Sequence, residues 1–252
     1  RPLAEDVVRA LVLDGAWLTT HRRPLLDHVA DHTGPLALTL ADARDPMKPK
    51  GAVEGLRQLL AAAGRAGHRV ELLRTDTTGI AFAALGGTLG AVGVLTSLRH
   101  HALPMRRNEQ RQYQAQQTSP LVFLPELACW QHGAVLSALA PLDDVHLARC
   151  PCGPCAGRSL ERLAEQWPPK KIPREIVEDA VRHDVACWTA LAGDVLAAPD
   201  PALAWADTCA AAGRAVLHLQ DRHRLELRLP AAMNEWARTG SMPSRRPRAR
   251  RT

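Results

Sequence analysis

Residues 150–155 read Cys-Pro-Cys-Gly-Pro-Cys, and no other stretch constrains the fold of this chain as tightly. The chain holds six cysteines in 252 residues, and half of them fall in this C-x-C-x2-C run. Chance does not readily place three unrelated cysteines so close together. Pro151, Pro154 and Gly153 bend the run into a tight loop, in which three sulfurs converge on one ion. His183 adds an imidazole and completes a tetrahedral set of Cys150, Cys152, Cys155 and His183. Cys187 and other histidines lie near in sequence and remain alternatives for the fourth place. A closed set of this kind predicts a structural Zn2+, because a catalytic zinc keeps one position open for water. Residues 157–179 are expected to form the helix that returns His183 to the loop.

At this length the chain can bury a sizeable core, as one large α/β unit or as a domain with an appendage. Apolar residues make up 46% and aromatics only 4%, so alanine and leucine must fill that core, which favours helices. The net charge of +6 and pI near 9.3 suit an anionic partner such as nucleic acid. Part of the charge sits in the final Ser-Arg-Arg-Pro-Arg-Ala-Arg-Arg-Thr, residues 244–252, which can bury nothing and reads as a disordered basic tail. No apolar run approaches the roughly eighteen residues of a membrane span, and no signal peptide is visible. Clustered cysteines without the density of a disulfide scaffold predict a reducing, cytoplasmic setting.

Along the chain, short apolar runs alternate with helical patterns. Residues 9–13, 36–40, 69–73 and 91–95 read as strands. Between them, 23–32, 51–66 and 80–85 read as helices. In the second helix Val53, Leu56, Leu59, Leu60 and Ala63 share one face. Further strands are expected at 121–124 and 145–148, with a helix at 128–139. Strand, loop and helix in repetition is the βαβ signature of a parallel sheet. Sites in such sheets lie at the carboxyl ends of the strands, where Asp14, Asp42 and Asp76 fall. Each also suits a plain helix N-cap. Residues 99–117 read as a polar, basic loop around Tyr113. From residue 158 the chain reads as all helical: 159–166, 173–196, 201–214, 216–229 and 230–238, with Trp188, Trp205 and Trp236 packed between helices.

The metal stretch resembles the zinc site of the tRNA-guanine transglycosylases, which carry C-x-C-x2-C, a helix and then a histidine. Here that histidine opens His183-Asp184-Val185-Ala186-Cys187-Trp188-Thr189-Ala190-Leu191. Upstream, Val12-Leu13-Asp14-Gly15-Ala16 is similar to the family's strand ending Val-Gln-Gly-Gly. Leu38-Thr39-Leu40-Ala41-Asp42 is similar to its base-holding loop, and Leu72-Leu73-Arg74-Thr75-Asp76 to its strand ending Met-Gly-Val-Gly. The resemblance implies an α/β fold of the (β/α)8 TIM-barrel type, whole or partial. Residues 1–149 would form the barrel-type region and 150–243 a zinc-binding helical subdomain. It further implies exchange of guanine for a 7-deazaguanine base in tRNA or DNA, with an aspartate attacking the anomeric carbon. Asp14, Gly15, Leu40 and Ala41 would then contact the substrate.

Two departures accompany the resemblance. The family's nucleophilic aspartate aligns with Gly93, which has no side chain. Six strands are countable where a closed barrel needs eight, so the first strands are expected to have been trimmed, to lie elsewhere or to have been lost. An enzyme would need Asp14, Asp42 or Asp76 as its nucleophile. The alternative is a non-catalytic paralogue that binds nucleic acid or dimerises, with itself or with a catalytic partner. A third reading is an unrelated zinc-stapled α/β protein with a small-molecule site.

Overall fold

The computed structural model describes residues 8–32, 34–41, 45–89, 91–93, 119–142, 147, 149–168, 171–227 and 229–239. Asp42, the 99–117 loop and the 244–252 tail lie outside them, as does most of the expected strand at 145–148.

Four strands form one parallel sheet in sequential order: β1 (Arg9–Asp14), β2 (Leu36–Ala41), β3 (Val70–Leu73) and β4 (Thr88–Leu89). Helices α1 (Arg22–Asp31), α2 (Ala52–Arg65) and α3 (Thr78–Ala84) connect them, so the expected βαβ repetition is present. The register places Leu11 beside Leu38 and Leu38 beside Leu72. On β2, Leu36, Ala37, Leu38, Leu40 and Ala41 are all buried, as a central parallel strand covered on both faces requires. On β1 one face stays open, with Val12 54% exposed. Among the described residues β1 is an edge strand, and no closed barrel forms.

Several sequence expectations are corrected. The pairing of β3 with β4 begins at Thr88, ahead of the expected 91–95, and an isolated parallel bridge of Thr75 with Val92 carries it onward. β5 (Leu121–Leu124) does form, but it pairs antiparallel with β6 (Cys129–His132) in a separate two-stranded sheet. The expected helix at 128–139 therefore splits into β6 and α4 (Gly133–Leu139). The cause is local: a 3-10 turn at Pro125–Leu127 and Ala128 at φ 47 reverse the chain, and Trp130 then packs on Phe123 at 4.8 Å. Residues 159–166 shrink to a 3-10 turn, Leu160–Leu163. The two helices expected at 201–214 and 216–229 are one helix.

That helix, α6 (Pro201–His223), follows α5 (Arg174–Ala197) and precedes α7 (Ala232–Thr239). Asp200 caps α6 by accepting from the Leu203 N–H, with Pro201 at its first position. The helix runs through Gly213, since one helical glycine costs only about 1 kcal/mol. It stops at Arg224, whose φ is 54.

The core has two parts. One lies between the sheet, α2, α3 and the C-terminal helices, and includes Leu38, Leu56, Phe82, Trp205 and Trp236. The other surrounds the β5–β6 hairpin, the cysteine loop and α5. Trp188 and Leu191 of α5 touch both. Glu235 of α7 accepts from the Gly51 N–H at the start of α2, which fixes the last helix to the first half of the chain.

α2 packs against the chain at Leu18 so closely that a Cβ on Gly55 would stand 1.8 Å from the Leu18 carbonyl oxygen. Gly64 in the same helix has nothing within 4 Å of such a Cβ. We expect Gly55→Ala to destabilise the protein by about 2–4 kcal/mol. Gly64→Ala should stabilise it by about 0.5–1 kcal/mol. Thermal unfolding of the two variants checks the opposite signs.

Candidate metal centre

The cysteine loop is shaped by its own backbone. The Cys155 and Ala156 N–H groups both donate to the Cys152 carbonyl, and the Gly157 N–H donates to that of Cys150. Ala156 and Gly157 turn the chain with φ of 50 and 77. The Cys152 N–H points at the Cys150 Sγ, at 3.4 Å. Arg158 closes the loop from outside, donating to the carbonyls of Cys155 and Pro154.

The histidine arrives on α5 itself. Among residues 157–168 and 171–173 the expected returning helix does not form; they hold a 3-10 turn and irregular chain, and α5 starts at Arg174 after Pro173. His183 and Cys187 lie one turn apart, so both face the loop. His183 is wholly buried, and Cys187 is buried as well.

Cys150, Cys152, His183 and Cys187 bring one ligand atom each into a group whose members all lie within 4.8 Å of one another. The Cys150 and Cys187 sulfurs are 3.4 Å apart, and His183 Nδ1 is 3.6 Å from each of Cys152 Sγ and Cys187 Sγ. Around a tetrahedral ion with bonds of about 2.3 Å to sulfur and 2.0 Å to nitrogen, such edges measure roughly 3.5–3.8 Å. The arrangement is therefore compatible with a metal site. The group includes Cys187 where the sequence reading placed Cys155. Cys155 lies alongside, its Sγ 3.3 Å from His183 Nδ1 and 3.1 Å from an Arg162 Nη2–H that donates to it.

His183 is oriented by the hairpin. Its Nε2 is 2.7 Å from the Phe123 carbonyl. A carbonyl can only accept, so Nε2 carries the proton and the Nδ1 lone pair faces the sulfurs. The next residue completes the grip: Asp184 accepts from the Phe123 N–H and from Trp130 Nε1–H, each at 2.7 Å. Sequence reading missed Asp184, Trp130 and Arg162. The spacing of His183 to Cys187, one helical turn, was the signal that could have promoted Cys187.

Burial dominates the protonation of the site. It pushes the Cys155 and Cys187 thiols up and His183 down from their usual ranges. For Cys155 the Arg162 guanidinium works against burial, whereas the neighbouring thiols push Cys187 further up. A cation between these atoms would reverse that balance by favouring thiolates and a neutral imidazole.

The residues expected at the strand ends are arranged differently. Asp14 Oδ1 accepts from the Ala16 N–H and Asp76 Oδ1 from the Thr78 N–H, the local capping role. β1 and β3 are separated by β2, so these carboxylates leave the sheet about two strand spacings, roughly 10 Å, apart. Gly15 is backed by Pro46 and Pro49, and Leu40 and Ala41 are buried. Gly93 is buried, and its N–H donates to the Thr75 carbonyl. No protein-family model, curated protein or solved structure matches the chain.

The depressed basicity of His183 has a pH signature. Well above pH 6.5 the imidazole is neutral in both folded and unfolded chains, and contributes no slope. Below that, the unfolded chain takes up the proton first, so chelator-treated protein should lose stability as pH falls. His183→Gln should remove up to one proton from that slope, as read from urea unfolding between pH 5 and 7.

Proposed function

We infer that this chain is a zinc-clamped relative of the tRNA-guanine transglycosylase type that serves as a non-catalytic, nucleic-acid-binding or dimerising subunit. Position 93 carries the reading. There the resemblance calls for an attacking aspartate, and the chain offers a buried glycine whose N–H is engaged by Thr75. Asp14 and Asp76 hold their own turns instead. The parallel order β1-β2-β3-β4 fits an arc of a (β/α)8 barrel, and the unpaired edge of β1 among the described residues is where further strands would add. The net charge of +6 suits a phosphate backbone.

In this reading the metal is a structural Zn2+ held by Cys150, Cys152, Cys155 and His183. Cys155 is preferred over Cys187 for the fourth place because Arg162 supplies the positive charge that favours its thiolate. The ion would stabilise the fold by tying α5 to the loop; with four protein ligands it has no position for substrate water. Cys155→Ser should then weaken Zn2+ binding at least tenfold and Cys187→Ser much less, measured by competition with a chromophoric chelator. The reverse order would make Cys187 the fourth ligand.

A second reading, base exchange by Asp14 or Asp76, is kept because both carboxylates sit past parallel strands on one rim. Incubation with tRNA or duplex DNA and a labelled 7-deazaguanine base separates the two. We expect no label in the nucleic acid, together with binding that weakens steeply with salt. Incorporation that Asp14→Asn or Asp76→Asn abolishes would establish the enzyme. Neither exchange nor binding would leave only an unrelated zinc-stapled fold.

A further inference from the structure

At the other end of the sheet, where the strands begin, three imidazoles meet. His28 and His32 lie one turn apart near the end of α1, their ring centroids 6.3 Å apart and their planes within 17°. His68 precedes β3, and its centroid is 5.8 Å from that of His32. The His68 backbone is fixed by the end of α2: its N–H donates to the Ala63 carbonyl, and Gly67, at φ 75, donates to that of Gly64.

His32 is 7% exposed, and its Nε2 has no hydrogen-bond partner among the described residues. The Pro35 carbonyl acts on the same ring as an acceptor, which favours the tautomer with its proton on Nδ1. This leaves a buried Nε2 lone pair unused, the arrangement in which histidine ligates metals. The Nε2 of His68 is likewise buried and unpartnered. Two buried ring nitrogens without partners call for an explanation.

Three imidazoles around one four-coordinate ion place ring centroids roughly 5 Å apart, given metal–nitrogen bonds of about 2.0–2.1 Å. The distances here exceed that by about an ångström. The nitrogens do not yet converge as those of the cysteine group do. His28 is exposed, so convergence requires its ring to turn inward.

We propose that His28, His32 and His68 form a second metal site, which takes a divalent transition ion of the zinc, nickel or copper type. Neutral imidazoles without carboxylates select these ions over magnesium or calcium. Burial, then the Arg9 guanidinium and the other two rings, keep His32 in its neutral, ligating form. The Arg9 charge also opposes a bound cation, so this site is weaker than the thiolate one. It shares no residue with the cysteine loop and does not depend on the role assigned to that loop.

The test is calorimetric titration of the full chain with Zn2+ after the cysteine loop has been filled with one equivalent. We expect a second equivalent in the wild type. It should weaken at least tenfold in each of His28→Ala, His32→Gln and His68→Ala, and persist in Cys150→Ser, which loses the first. A wild type that binds one equivalent only, or a second equivalent unchanged in the histidine variants, overturns the proposal. If His32→Gln fails to fold, His28→Ala decides alone: its site is exposed, and circular dichroism verifies its fold.

Discussion

One peptide unit, at Phe123, is held at both of its polar ends by two consecutive residues of α5. His183 Nε2–H donates to its carbonyl and Asp184 accepts from its N–H, both at 2.7 Å. The bond to the Asp184 carboxylate contributes about 1.5–3 kcal/mol and the neutral His183 bond about 0.5–1.5 kcal/mol, and leaving such buried groups unpaired costs more. The pair fixes the β5–β6 hairpin against the long helix. It also aims Nδ1 at the sulfurs, so the same contact that assembles the second core orients the metal centre. Trp130 reinforces it by packing its ring at a tilt against Phe123 and donating to Asp184.

From that contact outward the molecule divides its chemistry by location. The cysteine loop sits beside the hairpin, in a core of its own, while the strand-end aspartates sit on the parallel sheet. A closed metal site in that position would act by holding α5 in place, and α5 reaches both cores through Trp188 and Leu191. The proposed loss of catalysis fits this arrangement.

Local pattern made much of this visible. The alternating and fully apolar runs of β1, β2 and β3, the single apolar face of α2 and the proline start of α5 place those elements within one or two residues. The hairpin was hidden because only Gly133 divides Cys129-Trp130-Gln131-His132 from the helix that follows, and the reversal at Ala128 and the packing of Trp130 on Phe123, which make residues 129–132 a strand, are contacts of the fold. Gly213 misled in the other direction, since a lone glycine in an alanine-rich helix breaks nothing. For the metal centre, Cys150, Cys152 and His183 were legible from spacing. Asp184, Arg162 and the approach of Cys187 were not, because those contacts join residues that only the fold brings together.

X-ray absorption at the zinc edge, on protein purified without added metal and carrying one zinc per chain, tests the clamp most directly. The account predicts three sulfurs at about 2.3 Å and one nitrogen at about 2.0 Å, with no oxygen. A spectrum with a bound water, fewer than three sulfurs or no histidine nitrogen would contradict it, as would pure protein that carries no zinc and unfolds identically with and without a chelator.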